Sequence, residues 1–550
     1  MGLAEDAPRS DVESHQSADS DRESDHHVQN EAEDSTQSQD LEALSRVSSG
    51  PPYSAFSPGM KAWIVAMNSV SAFISPMTAN IYFPVIPTLA KELHVTDGQV
   101  LLTVTTYMIF QAISPMFFGD FGDATGRRPA FIIAFTIYLG ANIGLALQRS
   151  YIALLLLRML QSAGSSGTLS LVYGVVADIA PSSERGKYMG IVGAGITVGP
   201  ALGPVIGGLL SQYLGWPSIF WFLAIVTVVW MIPYILAVPE TGRKVVGNGS
   251  VRPPVLNTTV VDYLRFRHQP PDPTTIRRKA QWPNPINTLK VLGHKDMAMV
   301  LGFNATVFIG FQIVTATLSS QFKEIYGYND VQLGLCYLPI GGATMIASVG
   351  NGFLADWNFR RIAKQMGVNV DRKRGNDLKD FPIEKVRIQL IVPLIAVGSV
   401  FYISYGWILH LRLSVAVPLV WTFFIGLCVT GSFQINNLLI VDLYAEAPAT
   451  ATAANNLCRC LTGALFTAVI SRIISSIGVG WAFTLIGLIF TCASPSLWII
   501  VKYGPKWRGQ RLQKARELAE EQKAKAKEKT SVASEGNGDG VVASPPIKAG

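Results

Sequence analysis

The chain has 550 residues, 49% of them apolar and only 15% charged, with a mean hydropathy of +0.30, 49 glycines and 11 tryptophans. That profile excludes an ordinary soluble domain and fits repeated membrane crossings. The formal charge of +7 is uneven, because thirteen acids against three bases put the first fifty residues at −10 and leave +17 on the remainder.

The acidic opening reads as a disordered, solvating tail. It is not a basic stub leading into a short apolar run, so no signal peptide is expected and the first span acts as the insertion signal. Runs of about 20 apolar residues between polar breaks predict twelve spans, near 62–86, 99–118, 130–148, 151–178, 187–213, 217–238, 297–321, 332–354, 386–409, 414–441, 450–475 and 479–502. The expected organisation is an all-α membrane protein. Its parts are a tail (1–58), a six-helix half (59–238), a central loop (239–296), a second six-helix half (297–503) and a C-terminal tail (504–550).

Positive charge concentrates in alternate loops. The central connection carries Arg243, Lys244, Arg252, Arg265, Arg267, Arg277, Arg278 and Lys279; the loop after span eight carries Arg360, Arg361, Lys364, Arg372, Lys373 and Arg374. By the positive-inside rule both termini and the central loop are cytoplasmic, and the sequons at Asn248 and Asn257 stay unmodified. Charges that flank spans suit anionic lipid and argue against nucleic acid as a partner. The five cysteines, Cys336, Cys428, Cys458, Cys460 and Cys492, fall inside apolar segments, which argues against disulfides and a metal site.

A spacing recurs after spans two and eight. Gly119, Asp123, Arg127 and Arg128 are matched by Gly352, Asp356, Arg360 and Arg361. A duplicated apolar bundle with such a loop at matching positions is the ground plan of a secondary transporter. The first copy (Gly119, Asp120, Gly122, Asp123, Gly126, Arg127, Arg128, Pro129) resembles the signature of the major facilitator superfamily, in which the aspartate and first arginine form a cytoplasmic latch. The second copy has Trp357, Asn358 and Phe359 at the small and glycine positions, and a weaker latch is expected there.

Span four places Arg158, Gln161 and Gly164 on one side of a helix, and span eleven places Arg459 after Asn455 and Asn456. Arginines inside apolar segments are site candidates by default, and two of them favour anions. Gln111 and Gln434 add hydrogen-bonding groups, Tyr107, Phe110, Phe308, Phe311 and Phe433 offer aromatic walls, and Asp178 and Asp442 occupy equivalent positions near the ends of spans four and ten. No acid sits at mid-span. In the resembling families the span-four arginine is implicated in proton coupling by tuning a nearby acid, since guanidinium keeps its own proton. Span five carries Gly190, Gly199, Gly203, Pro204, Gly207 and Gly208, whose spacing is similar to the antiporter motif of the same superfamily. Small residues at such intervals let helices meet backbone to backbone, while Pro200 and Pro204 bend the helix.

The run from Asn80 to Pro87 looks like the first-helix motif of the twelve-span drug:proton antiporters. With Thr103 to Tyr107, Asp178 to Arg185, Val441 to Tyr444 and Asn455 to Arg459, it resembles the fungal quinidine-resistance-like branch over about 60–510. The resemblance implies a multi-pass cell-membrane exporter of small amphiphilic or weakly anionic compounds, coupled to protons. A monomer, one twelve-span bundle, is enough for such a cycle, and the sequence offers no nucleotide-binding loop or catalytic cluster that would point to a cofactor or an enzyme. Citrate exporters of this branch carry a further arginine where this chain has Ile196, Thr197 and Val198. A nutrient or organic-acid uniporter or symporter, or a non-transporting receptor on the same scaffold, are the alternative readings.

Overall fold

The computed structural model describes residues 53–180, 182–254, 257–260, 286–366, 382–444 and 448–535, and all regular elements among them are helical. The acidic tail, Arg265 to Lys279 of the central connection, and Arg372, Lys373 and Arg374 lie outside the described residues. The first half comprises α1 (Pro58–Asn80), α2 (Asp97–Thr125), α3 (Arg127–Leu147), α4 (Tyr151–Ile179), α5 (Ser182–Leu214) and α6 (Pro217–Ala237). The second comprises α7 (Lys295–Tyr326), α8 (Leu338–Gln365), α9 (Ile383–His410), α10 (Ala416–Leu443), α11 (Pro448–Ala493) and α12 (Pro495–Glu535).

Local chemistry explains several boundaries. Ser57 caps α1 ahead of a proline in its first turn, and Thr96 and Gln99 form a reciprocal capping box at the start of α2. Gly126, at φ +110°, breaks α2 from α3, a conformation that a side chain resists. Gly478, at φ 82° and ψ 162°, divides α11 into two arms, the second of which leads through Ser494 into α12.

Among the described residues ten segments are long and apolar enough to cross a membrane. One of these, Thr450–Lys514, contains the two arms joined at Gly478, so it supplies crossings eleven and twelve. The remaining expected crossing is α4, which is long enough but too polar to qualify, because it carries Arg158, Gln161 and a run of serines and glycines. Twelve crossings result. Within the first half α4 packs on α2 and α3, α1 on α5 and α3 on α6; within the second, α9 and α10 pack together, α11 on α7 and α9, and α8 on α10. The halves meet along two seams, α2 with α11 and α5 with α8.

Two expectations need correction. Asp356, Arg360 and Arg361 do not form a loop but lie on α8, which continues to Gln365. Gly126 breaks the chain in the first copy, whereas its counterpart is Phe359, which stays helical. The segment after 504 likewise does not begin as a separate tail, because α12 runs on as helix well beyond the crossing.

Candidate functional site

Arg158 is fully buried, with its guanidinium held between the rings of Tyr82 and Tyr107 at 4.2 and 4.4 Å from their centroids. Its Nη1 donates to Gln161 Oε1 (2.6 Å), and Gln161 Nε2 donates to Asn142 Oδ1 (2.7 Å). The tyrosine hydroxyls have their own partners, Thr103 for Tyr82 at 2.9 Å and Ser165 for Tyr107 at 3.0 Å. Among the described residues no carboxylate pairs with Arg158, and its Nε and Nη2 make no hydrogen bond. The charge is therefore held chiefly by ring quadrupoles and one amide. The i, i+3 pairing of Arg158 with Gln161 was legible in the sequence; the sealing of the arginine from any open space by Tyr82 was not.

Arg459 has a different setting. It is half-buried, lies 4.9 Å over the Phe308 ring and 5.8 Å over Phe433, and donates through Nε and Nη2 to Asn456 Oδ1. Asn456 Nδ2 in turn donates to the Gln111 carbonyl (2.9 Å), so this arginine stands on the α2–α11 seam between the halves. Beside it Asn304, Asn437 and Asn455 form a triangle of 2.8 Å amide bonds. Gln434 is turned away to Ser348, at 2.5 Å, and does not join the cluster.

Along α5 the packing is tight toward one end and looser toward the other. On α5 the sequence motif splits into two sides. A methyl group built on Gly199 or Gly203 would lie 2.8 Å from Met77 N or 3.1 Å from Ile81 N, and on Gly207 it would run into the Ile81 carbonyl, so this side lies against α1. A methyl group on Gly208 would instead run into the Asp330 carbonyl, and one on Gly334 would lie 2.6 Å from Pro204 O, so these two glycines let the halves meet closely. Asp330 itself accepts from Thr88 Oγ1 (2.7 Å) and Ser211 Oγ (2.5 Å), while Phe83 stacks on Tyr337. Past the contact of Ala201 with Gly341, toward the opposite face, Gly190, Gly193 and Gly350 face open space. Gly190 thus takes no part in the packing that its place in the motif suggested.

That opposite face holds the charged clusters. Arg127 pairs with Asp123 and with Asp178 (2.9 Å), its guanidinium lying against Gly174, where a side chain would collide with it. Glu240 accepts the backbone N–H groups of Arg127 (2.8 Å), Arg128 (3.1 Å), Thr241 (2.9 Å) and Gly242 (2.8 Å), together with Asn257 Nδ2 (2.7 Å). A carboxylate there satisfies the first orphan donors of α3 and faces the positive end of its dipole. Arg128 reaches the carbonyls of Val238, Thr258 and Ile235. Gly119 and Gly122 let α2 lie close to Ser170 and Leu171 of α4, and Asp120 occupies the same turn, half-buried.

In the second half the counterpart of Arg127 is Arg387 at the start of α9, which pairs with Asp442 at 3.0 Å. Asp356 and Arg360 form an exposed 3.5 Å pair, and Arg361 lies over Trp357. Two further buried pairs tie α12 to this face, Arg508 with Glu384 (3.5 Å) and Arg511 with Asp296 (3.0 Å). Glu240, Arg387 and Asp330 escaped the sequence reading. Their signals were a carboxylate right after span six, an arginine opening span nine as Arg127 opens span three, and a capping pair, Asn329 with Gln332, around an acid.

Residues 69–467 match the Major Facilitator Superfamily. MFS-type transporter phiD of Fungal sp. is 43% identical over 480 residues, covering 86% of this chain and 72% of that one. MFS-type transporter tstD of Talaromyces stipitatus is 39% identical, with 85% and 86% covered, and Citrate exporter 1 of Aspergillus niger is 37% identical, with 86% and 91% covered. Among solved structures, the human organic anion transporter MFSD10 (TETRAN) has a similar fold, with a TM-score of 0.51 at 16% identity, covering 82% of this chain and 100% of that one. With two six-helix halves, paired arginine–aspartate clusters at matching positions and this span of sequence likeness, the chain belongs to the Major Facilitator Superfamily of multi-pass membrane transporters.

Proposed function

We propose that the chain exports small amphiphilic or weakly anionic compounds across the cell membrane in exchange for protons, by alternating access between its halves. The observation that carries this reading is Arg459, a half-buried cation on the seam, backed by two phenylalanines and with no carboxylate partner among the described residues. Such a group attracts an anion, while Phe308 and Phe433 suit an apolar body. The likeness to Citrate exporter 1 and to fungal MFS-type transporters supports export. In this reading both termini and the Arg127 face are cytoplasmic, the Asp330 face is closed to the outside, and the cytosolic face admits substrate. One chain suffices for the cycle.

Arg158 takes the coupling role, because a cation sealed between tyrosines responds to the arrangement of α1, α2 and α4 rather than to substrate. The test uses the purified chain in proteoliposomes, with naphthalene-1-sulfonate and citrate as probes that stay charged across the membrane. An imposed proton gradient is expected to drive sulfonate against its own gradient, with Arg459→Gln raising KM. Flux that ignores the proton gradient defines a uniporter and overturns the coupling. Binding without flux defines a receptor.

A further inference from the structure

The seam near the closed face contains a carboxylate that none of the motifs predicted. Asp330 begins the short helix Asp330–Leu335 in the second half and is 6% exposed. Both hydroxyls that donate to it, Thr88 Oγ1 at 2.7 Å and Ser211 Oγ at 2.5 Å, come from the first half. The Asp330 N–H also crosses the seam, to Gln212 Oε1 at 3.3 Å. One residue thus supplies donor and acceptor to three residues of the other half.

The charged side chains on the elements packed around it are Lys323 and Glu324 on α7 and Lys91 and Glu92 on the helix Ile86–Glu92; the adjoining end of α5 has none. Lys323 Nζ donates to Thr88 Oγ1 (3.4 Å), and Glu92 accepts from Trp216 Nε1 (2.5 Å). Among the described residues Asp330 makes no ion pair. An ionised carboxylate is purely an acceptor and takes strong bonds from both hydroxyls. A proton placed on it turns one oxygen into a donor and removes the charge that strengthened the others.

We infer that Asp330 is the group through which a proton from the outer medium unlocks this seam. The inference rests on the proton-driven export proposed above and names the residue where the proton acts. Protonation weakens the Thr88 and Ser211 bonds, the Asp330 face opens and substrate leaves; release of the proton lets the hydroxyls bind again and recloses it.

Hydrogen exchange of the intact chain in lipid nanodiscs tests this, at about pD 7.5 and about pD 3, on either side of the ordinary carboxylate range, with rates corrected for the intrinsic effect of acid. Protection of 204–214 and 330–335 is expected to fall about ten-fold in acid, the shift that accompanies loss of one charge-assisted bond. Asp330→Asn is expected to show the low value at both settings, with α3 and α4 as protected as in the parent. Lys323→Gln and Glu324→Gln keep the fall. An Asp330→Asn chain that retains the acid-dependent fall overturns the inference, and so does a parent chain that shows none. The parent result decides alone should the variant not fold. Sulfonate flux measured on the same preparations separates the two readings. Proton-driven flux with unchanged protection removes only the role of Asp330, whereas an acid-opened seam with gradient-independent flux removes the export reading instead.

Discussion

Replacing Arg158 with lysine is expected to damage the fold more than replacing it with methionine, although only lysine keeps the charge. Each ring contact of the guanidinium, at 4.2 Å to Tyr82 and 4.4 Å to Tyr107, stabilises by about 2 kcal/mol in a desolvated setting, and the charged bond to Gln161 adds about 2 kcal/mol. Against these stands a desolvation penalty of several kcal/mol for a buried ion, so the two sides nearly cancel. Lysine keeps the penalty, raises it through the stronger hydration of an ammonium, and cannot lie flat between two rings, a net loss of about 3 kcal/mol. Methionine removes penalty and ring contacts together. It fills the slot with a soft apolar chain but leaves Gln161 Oε1 without its donor, for a net cost of about 1 kcal/mol. Thermal unfolding of the purified variants in one detergent is expected to rank the parent first, methionine next and lysine last, while both variants lose proton-driven flux. A lysine variant that melts with the parent while methionine unfolds refutes the reasoning, since a point charge would then be what the pocket holds.

Gly207→Val, whose side chain would enter the Ile81 carbonyl, is expected to cost about 1–3 kcal/mol in the same melts, and Gly190→Val, with open space around it, under about 0.5 kcal/mol. Arg508→Ala leaves Glu384 buried without its cation and should cost about 3–5 kcal/mol, whereas Arg360→Ala breaks an exposed pair and should cost under about 1 kcal/mol. Partial burial, with Arg511 and Lys514 nearby, pushes His294 below its ordinary value of 6.5. The unfolded chain then takes up the proton more readily than the folded one, so the stability from neutral His294 is complete above about pH 6.5 and falls as pH drops through the lower folded value. Proteolysis of α12 is expected to quicken over that range, and His294→Gln to flatten the response.

Patterns confined to one helix could be read from the chain; partnerships between helices could not. Arg158 and Gln161 are three apart on α4 and bond as the spacing suggests, but Tyr82 comes from the turn after α1 and Asn142 from α3, and neither had a sequence link to them. The glycines of α5 announced close packing, yet two opposite partners, α1 and the Asp330 helix, divide them between structure and seam. The repeated arginine spacing identified two halves correctly while pointing at the wrong arginine. Without a glycine at 359 the helix continues, and Arg387, at the start of the next crossing, takes the position that Arg127 holds. Asp178 and Asp442, noted as equivalent, receive those two arginines.

The polarity of α4 bears on how the ribosome delivers this chain to the bilayer. A buried arginine makes an inserting helix costlier, and α4 falls short of the hydropathy that the other crossings reach. Tyr82, Tyr107 and Asn142, which receive Arg158 and Gln161, all precede α4 in the chain. The earlier crossings are therefore already synthesised when the fourth emerges, and they give its polar groups a protein surface to enter before lipid surrounds them. Biogenesis is directional in consequence: a fragment beginning at α4 would meet the translocon with a charge and no host.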